Sequence, residues 1–426
     1  MKTKLSFLFI AFFSFFLQAQ DETCAEKVTR FNEFVKTNNL KEAYLPWSES
    51  RKKCPSTDET IYTSGEKILH YKIDNAANAG EKEILVRDLL KLYDEYDANF
   101  PNNNKGNVVN KAMALHKNGI GTSEEIYNLL DNAFRKNPEN FTNPSALYVY
   151  FDLFYTQYKD GKKDIQIDDV FTKHDAVINR IASAPKNDLK TVQAYKRVSE
   201  GIDALISGLA TCENLIPFYQ KNFESKKTEA LWLENAATNL LSKNCTSDPL
   251  FAKIAAELHQ IKPTSKSAYN LGVVALKSKN QTKAITYFDQ SSELNVDLKE
   301  KAKTYYMTAS LLITSNKSAA REYARKALLA NPSFGKAHLL IAQLYVNSAN
   351  ECGETSFDKK AVYFLAAEAA KKAGESDSFL KATANQQAEA YLKMAPSKAE
   401  IKEAKKSGKS ITFKCWINES VMIPKL

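Results

Sequence analysis

Between Ser265 and Pro332 the chain repeats itself, and the repeat leaves little choice of fold. Leu271, Gly272, Ala275, Ala284 and Phe288 in one copy are echoed by Met307, Thr308, Leu311, Ala320, Ala324 and Ala327 in the next, with Ala284 and Ala320 36 residues apart. Each copy holds two apolar runs at helical spacing with a polar break between them, the pattern of two helices lying antiparallel. Small residues facing bulky ones let the two helices interlock. A pair this short cannot bury its apolar face alone, so copies must stack. The expected class is therefore all-α: a solenoid of stacked antiparallel helix pairs whose inner face is the expected binding surface.

Weaker copies extend this reading along the chain. The spacing predicts pairs over Ala25 to Cys54, Glu59 to Phe100 and Val108 to Asn137, the last ended by Asn137-Pro138 as a later one is by Asn331-Pro332. Proline ends a helix there because it has no N–H to donate and its ring clashes with the preceding turn. Next come an aromatic helix from Pro144 to Tyr158 with a partner near Asp168 to Ala182, then Asp188 to Leu209 with Glu213 to Phe223, and Thr228 to Lys243 with Pro249 to Ile261. Tyr148, Phe151, Tyr155 and Tyr158 form a stripe on the aromatic helix, read first as core and second as a sugar-binding platform. A third clear copy begins at Gly335, and an insertion from Asn350 to Lys360 carries Cys352. The last helix, Ser378 to Met394, is followed by Ile411 to Ile417, whose alternation predicts a short β-like strand. Pinned by Cys415, with Trp416 laid on the terminal helix, this tail would cover the end of the stack; the other reading pairs it with a partner's strand edge. The expected organisation is a signal peptide over 1–20, divergent repeats over 21–263, the clearest repeats over 264–373, and a capping helix and strand over 374–426.

Lys2 and Lys4 precede an apolar run from Leu5 to Leu17, and Gln18, Ala19 and Gln20 follow it. That order predicts a secretory signal peptide cleaved near Ala19 or Gln20. A retained membrane anchor would need about 20 apolar residues, more than the run supplies. No later segment is continuous enough to span a membrane. Export implies an oxidising compartment, in which six cysteines form disulfides. Neighbouring predicted helices favour Cys24 with Cys54 and Cys212 with Cys245, leaving Cys352 of the insertion for Cys415 of the tail. Other pairings, or a buried free thiol, remain open.

The net charge is +9, of which Lys2 and Lys4 contribute part. From Lys371 to Leu426 eleven lysines stand against six acids, a solvated face or a weak contact with an anionic surface. A nucleic-acid partner is not expected, because no arginine-rich stripe with stacking aromatics is present.

These markers resemble the exported tetratricopeptide-repeat (TPR) proteins of the gram-negative cell envelope. The resemblance rests on Trp47 with Cys54-Pro55 and Ile61-Tyr62, on Cys212-Glu213 with Leu215-Ile216-Pro217-Phe218, on Cys352-Gly353 before Ala361-Val362-Tyr363, and on the closing Cys415-Trp416-Ile417-Asn418-Glu419. It implies a periplasmic, non-enzymatic scaffold that binds other envelope proteins or extended peptide segments. Ala268 and Ala275 stand where the repeat consensus has larger side chains, which weakens the case for any one peptide specificity.

No catalytic constellation is expected. His70, His116, His174, His259 and His338 have no metal-ligand spacing, and no CxxC, HExxH, GxSxG or phosphate-binding glycine loop occurs. Ser64 to Lys67, Ser348 to Asn350 and Lys406 to Gly408 resemble the three elements of penicillin-recognising enzymes, but those need a sheet that this pattern lacks. No cofactor is expected either. The binding surface falls on the first helix of each repeat: Lys266, Tyr269, Val273 and Lys277, then Tyr305, Ala309 and Leu312, then Lys336, Leu339 and Gln343. Tyrosines on the floor with lysines at the edge suit an extended segment carrying apolar anchors and carboxylates, unless the tyrosines only fill the space between helices. The competing function is a peptidoglycan- or glycan-associated binding protein.

Overall fold

In the computed structural model the described residues are 22–103, 106–162 and 164–426. The predicted signal peptide lies outside them. They fall into two compact units that divide after Gly208.

The first unit holds α1 (Cys24–Lys36), α2 (Leu40–Lys53), α3 (Thr60–Asp74), α4 (Ala79–Asn99), α5 (Asn107–Asn118), α6 (Ser123–Lys136), α7 (Pro144–Lys159), α8 (Ile167–Ser183) and α9 (Leu189–Leu205). Side-chain caps start several of them: Thr23 with Glu26 closes a capping box on α1, and Asn78, Thr122 and Asp188 accept N–H groups at the starts of α4, α6 and α9. Trp47 of α2 is buried against Gly65 of α3 and donates to Ile61 O at 2.7 Å. A Cβ at Gly65 would sit 2.6 Å from the Trp47 nitrogen, so this helix pair closes only over glycine. Beyond Asn137 the chain makes a 3-10 turn, Pro138–Asn140. Buried Arg180 of α8 holds it by donating to Pro138 O at 2.6 Å, Glu139 O at 3.0 Å and Phe141 O at 3.2 Å. Helix α9, expected to pair with the helix after it, packs on α7 within its own unit.

The second unit holds α10 (Cys212–Lys226), α11 (Ala230–Ser242), α12 (Pro249–Ile261), α13 (Ser265–Lys277), α14 (Gln281–Glu293), α15 (Leu298–Leu312), α16 (Lys317–Ala330), α17 (Gly335–Val346), α18 (Ser356–Ser376), α19 (Lys381–Met394) and α20 (Lys398–Glu403). Helices α13 to α18 form three antiparallel hairpins, the all-α architecture of paired repeats expected above. Gly272 makes the first possible: a Cβ there would sit 2.4 Å from the buried Phe288 ring of α14. Ala309, Ala320, Ala324 and Ala327 are fully buried in the second.

The only two strands among the described residues, β1 (Ser410–Phe413) and β2 (Glu419–Met422), pair antiparallel with Ile411 opposite Val421. The expected single strand is therefore a hairpin, and Cys415, Trp416 and Asn418 belong to its turn. Nor does Trp416 lie on the terminal helix. Its ring is 6.2 Å from that of Tyr345 on α17 and 5.2 Å from the Arg321 guanidinium of α16, and its Nε1 donates to Ser348 Oγ at 3.0 Å. A buried guanidinium decides this position, because Arg321 needs acceptors and the turn supplies them: Ile417 O, Trp416 O at 3.3 Å and Glu419 Oε1 at 3.0 Å. Three disulfides complete the frame, joining Cys24–Cys54 and Cys212–Cys245, the pairs favoured by neighbouring helices, and Cys352–Cys415, the expected link of insertion and tail.

Candidate functional site

The first helices of three successive pairs in the second unit, α11, α13 and α15, enclose a cavity of about 430 Å³. Leu241, Tyr269 and Met307 give it an apolar floor. At one end Asn295 Nδ2 donates to Ser265 Oγ and Thr304 Oγ1, both at 2.8 Å, and Ser291 Oγ donates to Ser265 O at 2.7 Å. These bonds tie the start of α13 and the second turn of α15 to the end of α14 and the connection after it. The Asn270 side chain is different. It lines the cavity at 5% exposure and has no hydrogen bond among the described residues. The Tyr269 hydroxyl has none either; burial alone pushes its pKa well above the usual phenol value. The Asn270 amide meets solvent in the cavity and is open to a ligand that offers both a donor and an acceptor.

The rim carries ion pairs. Glu234 faces Lys262 at 3.1 Å and Lys266 at 3.7 Å, and Glu300 pairs with Lys303. The expected lysine edge is thus ion-paired, with one ammonium group in excess of the carboxylates.

Of the ten residues predicted to line the groove, Lys266 and Tyr269 line this cavity. Val273, Ala309 and Leu312 are buried in the helix packing and offer no surface, a correction that follows from their place on the inner seam of each pair. Tyr305 is half-buried, its ring 6.0 Å from Tyr323 with the Lys326 ammonium 5.8 Å above it. Lys277, Lys336 and Gln343 are exposed and Leu339 is half-buried, none of them at the cavity; Gln343 donates to Asn347 Oδ1 on its own helix at 2.7 Å. Sequence reasoning missed Asn270, Met307 and the contribution of α11.

The aromatic stripe of α7 is largely packed. Phe151 is buried edge-on to the His174 ring at 6.0 Å, Tyr155 stacks on Phe151 and Tyr158, and Tyr148 closes against Gly201 of α9. The adjoining Tyr150 hydroxyl donates to Asp131 at 2.7 Å, beside a Lys173 ammonium that lies over the Tyr127, Tyr150 and Phe154 rings. His174 on α8 is also buried, with Nε2 2.8 Å from Asp203 of α9 and Nδ1 3.4 Å from Asp175. Burial opposes its protonation, but the two carboxylates outweigh it and raise its pKa to about 9. Burial also pushes the Asp175 carboxyl up, and its Oδ2 has no partner among the described residues.

Two serines of the enzyme-like motifs are hydrogen-bonded within the fold. Ser64 Oγ donates to Asn32 Oδ1 at 2.9 Å and Ser348 Oγ accepts from Trp416. Among the described residues no group of His, Cys, Asp and Glu converges as a metal site, and no helix is long and apolar enough to cross a membrane.

No family model matches the chain, and no curated protein matches it. Among solved structures, the chain is similar to a tetratricopeptide repeat protein from Parabacteroides merdae ATCC 43184, at 14% identity and a TM-score of 0.31, over 67% of this chain and 98% of that one. It is also similar to the APC/C hetero-tetramer Cut9-Hcn1, at 12% identity and a TM-score of 0.34, over 87% of this chain and 76% of that one. At those scores the architecture rests on the helix pairing described above.

Proposed function

We propose that this chain is an exported TPR scaffold that holds an extended segment of a partner protein along α11, α13 and α15, as an adaptor or assembly factor of the cell envelope. The observation that carries the reading is the unpaired Asn270 amide at the wall of an apolar-floored cavity between successive first helices. Residues 264–373 supply most of the groove and α11 completes it. Three disulfides among the described residues favour an oxidising compartment, and a leader cleaved near Ala19 or Gln20 belongs to the same reading.

A photocrosslinking side chain at Met307, which is 44% exposed at the cavity, tests it in cells of the source. One recurrent protein adduct, reduced about tenfold by Asn270→Ala with thermal unfolding unchanged, is the expected result. No protein adduct, with the chain sedimenting on cell-wall sacculi instead, would turn the reading to a glycan-associated protein.

A further inference from the structure

The fold gathers the lysine excess at the end of the chain into one patch. From Glu389 to Lys425 stand eight lysines and four acids, and every one of those lysines except the half-buried Lys406 is exposed. The connection from α20 to β1 carries Lys405, Lys406 and Lys409. Lys425 returns to that connection from the far side of the hairpin. A Cβ on Gly408 would sit 3.2 Å from Lys425 Cγ, Leu426 N donates to Ser407 Oγ at 3.0 Å, and Ile423 N donates to Lys409 O at 2.9 Å. The hairpin extends the surface: Ile411, Phe413, Val421 and Ile423 are buried on one face, so Thr412, Lys414, Ser420 and Met422 stand on the other, with Met422 61% exposed.

The acids do not cancel this charge. Glu400 pairs with Lys360 of α18 and accepts from Ser397 N, and Glu419 accepts from Arg321, Arg325 and Tyr345, so both answer to cations outside the eight lysines. Only Glu389 and Glu403 remain. Neighbouring elements leave the sign as it is: the insertion and the start of α18 set Glu351, Glu354 and Asp358 against Lys359 and Lys360, while α16 adds Lys317, Arg321 and Arg325 against Glu322. A carboxylate on Leu426 would remove one unit of the excess and not its sign.

We propose that this patch seats on an anionic phospholipid surface, with the lysines meeting lipid phosphates and Met422 entering the headgroup layer. The cations are lysines throughout, compact point charges without the planar fork by which arginine fixes one carboxylate or phosphate, and such charges suit a fluid array of phosphates. An exposed methionine among them gains from an apolar layer beneath the phosphates, which an acidic segment of a protein does not supply. The Cys352–Cys415 link and the Arg321 contacts hold the hairpin on the fold, so the surface is formed before it meets its partner. The proposal stands whether or not the groove binds a peptide.

Flotation of the purified chain with vesicles of phosphatidylethanolamine and phosphatidylglycerol, against vesicles of phosphatidylcholine alone, tests it. Binding to the anionic vesicles only, weakening as salt rises, is expected. Lys409→Glu with Lys414→Glu should lower the vesicle partition coefficient at least tenfold and Met422→Ser about fivefold, with thermal unfolding unchanged because all three side chains are exposed. The same change of net charge made by Lys117→Glu with Lys136→Glu, both exposed in the first unit, should leave it within about twofold. No flotation, equal binding to phosphatidylcholine, or an equal loss from the Lys117 and Lys136 variant would overturn the proposal. So would a Met422→Ser chain that floats as well as its parent, which would make the patch a purely electrostatic one, open to acidic protein segments as much as to lipid.

Discussion

Glu419 Oε1 accepts from Arg321 at 3.0 Å, from the Tyr345 hydroxyl at 2.8 Å and from Arg325. Glu419→Gln keeps the shape and removes the charge that balances a buried guanidinium. It should cost about 2 kcal/mol, less than for a fully buried pair because Glu419 keeps 30% of its exposure, and urea unfolding would measure it. His174 gives a pH signature. Its pKa is about 9 in the folded chain against an ordinary 6.5, so its stabilisation is complete below pH 6.5 and is lost as pH rises through 9. The melting temperature of the first unit should fall over that interval, and His174→Gln should flatten the dependence. Asp175 and Asp203 are the charged groups that face the ring, and Phe151 closes its apolar side. At this scale the sequence was least informative. His174 carried no spacing signal, since its partner on α9 is 29 residues away and is met only through helix packing.

Among the elements, the hairpin α13–α14 depends on one hydrogen atom at Gly272. Gly272→Ala would press a methyl group into the Phe288 ring, which is fully buried and has no room to turn, and should cost about 3 kcal/mol or break the pair. Circular dichroism during thermal unfolding would show it. The tail hairpin depends on the Cys352–Cys415 link, whose sequence separation of 63 corresponds to about 4 kcal/mol of loop-closure entropy. Cys352→Ser with Cys415→Ser should lower stability by up to that amount and expose Trp416, shifting its fluorescence to longer wavelength. Helix existence was legible here because 3.6-residue periodicity and terminal Asn-Pro or cap residues are local signals. The division of Ile411 to Ile417 into strand and turn was not, because it follows from what Arg321 requires, far away in sequence.

In the whole molecule, the groove combines Thr238 and Leu241 of α11, Asn270 of α13 and Met307 of α15, drawn from three repeats. Of the helices the sequence singled out, α13 and α15 line the cavity and α17 does not, and Val273, Ala309 and Leu312 are buried in helix packing. Helical period alone cannot tell the face toward the paired helix from the face toward the groove, because both are apolar in a stacked array. What the sequence by itself determined is whatever short-range order encodes: the all-α class, the repeat, the proline stops and the small residues at the tight crossings. Tertiary structure alone decided which apolar face stays open, where the tail turn docks, that Asn270 is left without a partner among the described residues, and that Lys425 returns to the connection carrying Lys405 and Lys409. The physical reason is that burial and hydrogen-bond satisfaction are settled between side chains distant in sequence, whereas helix formation is settled between neighbours.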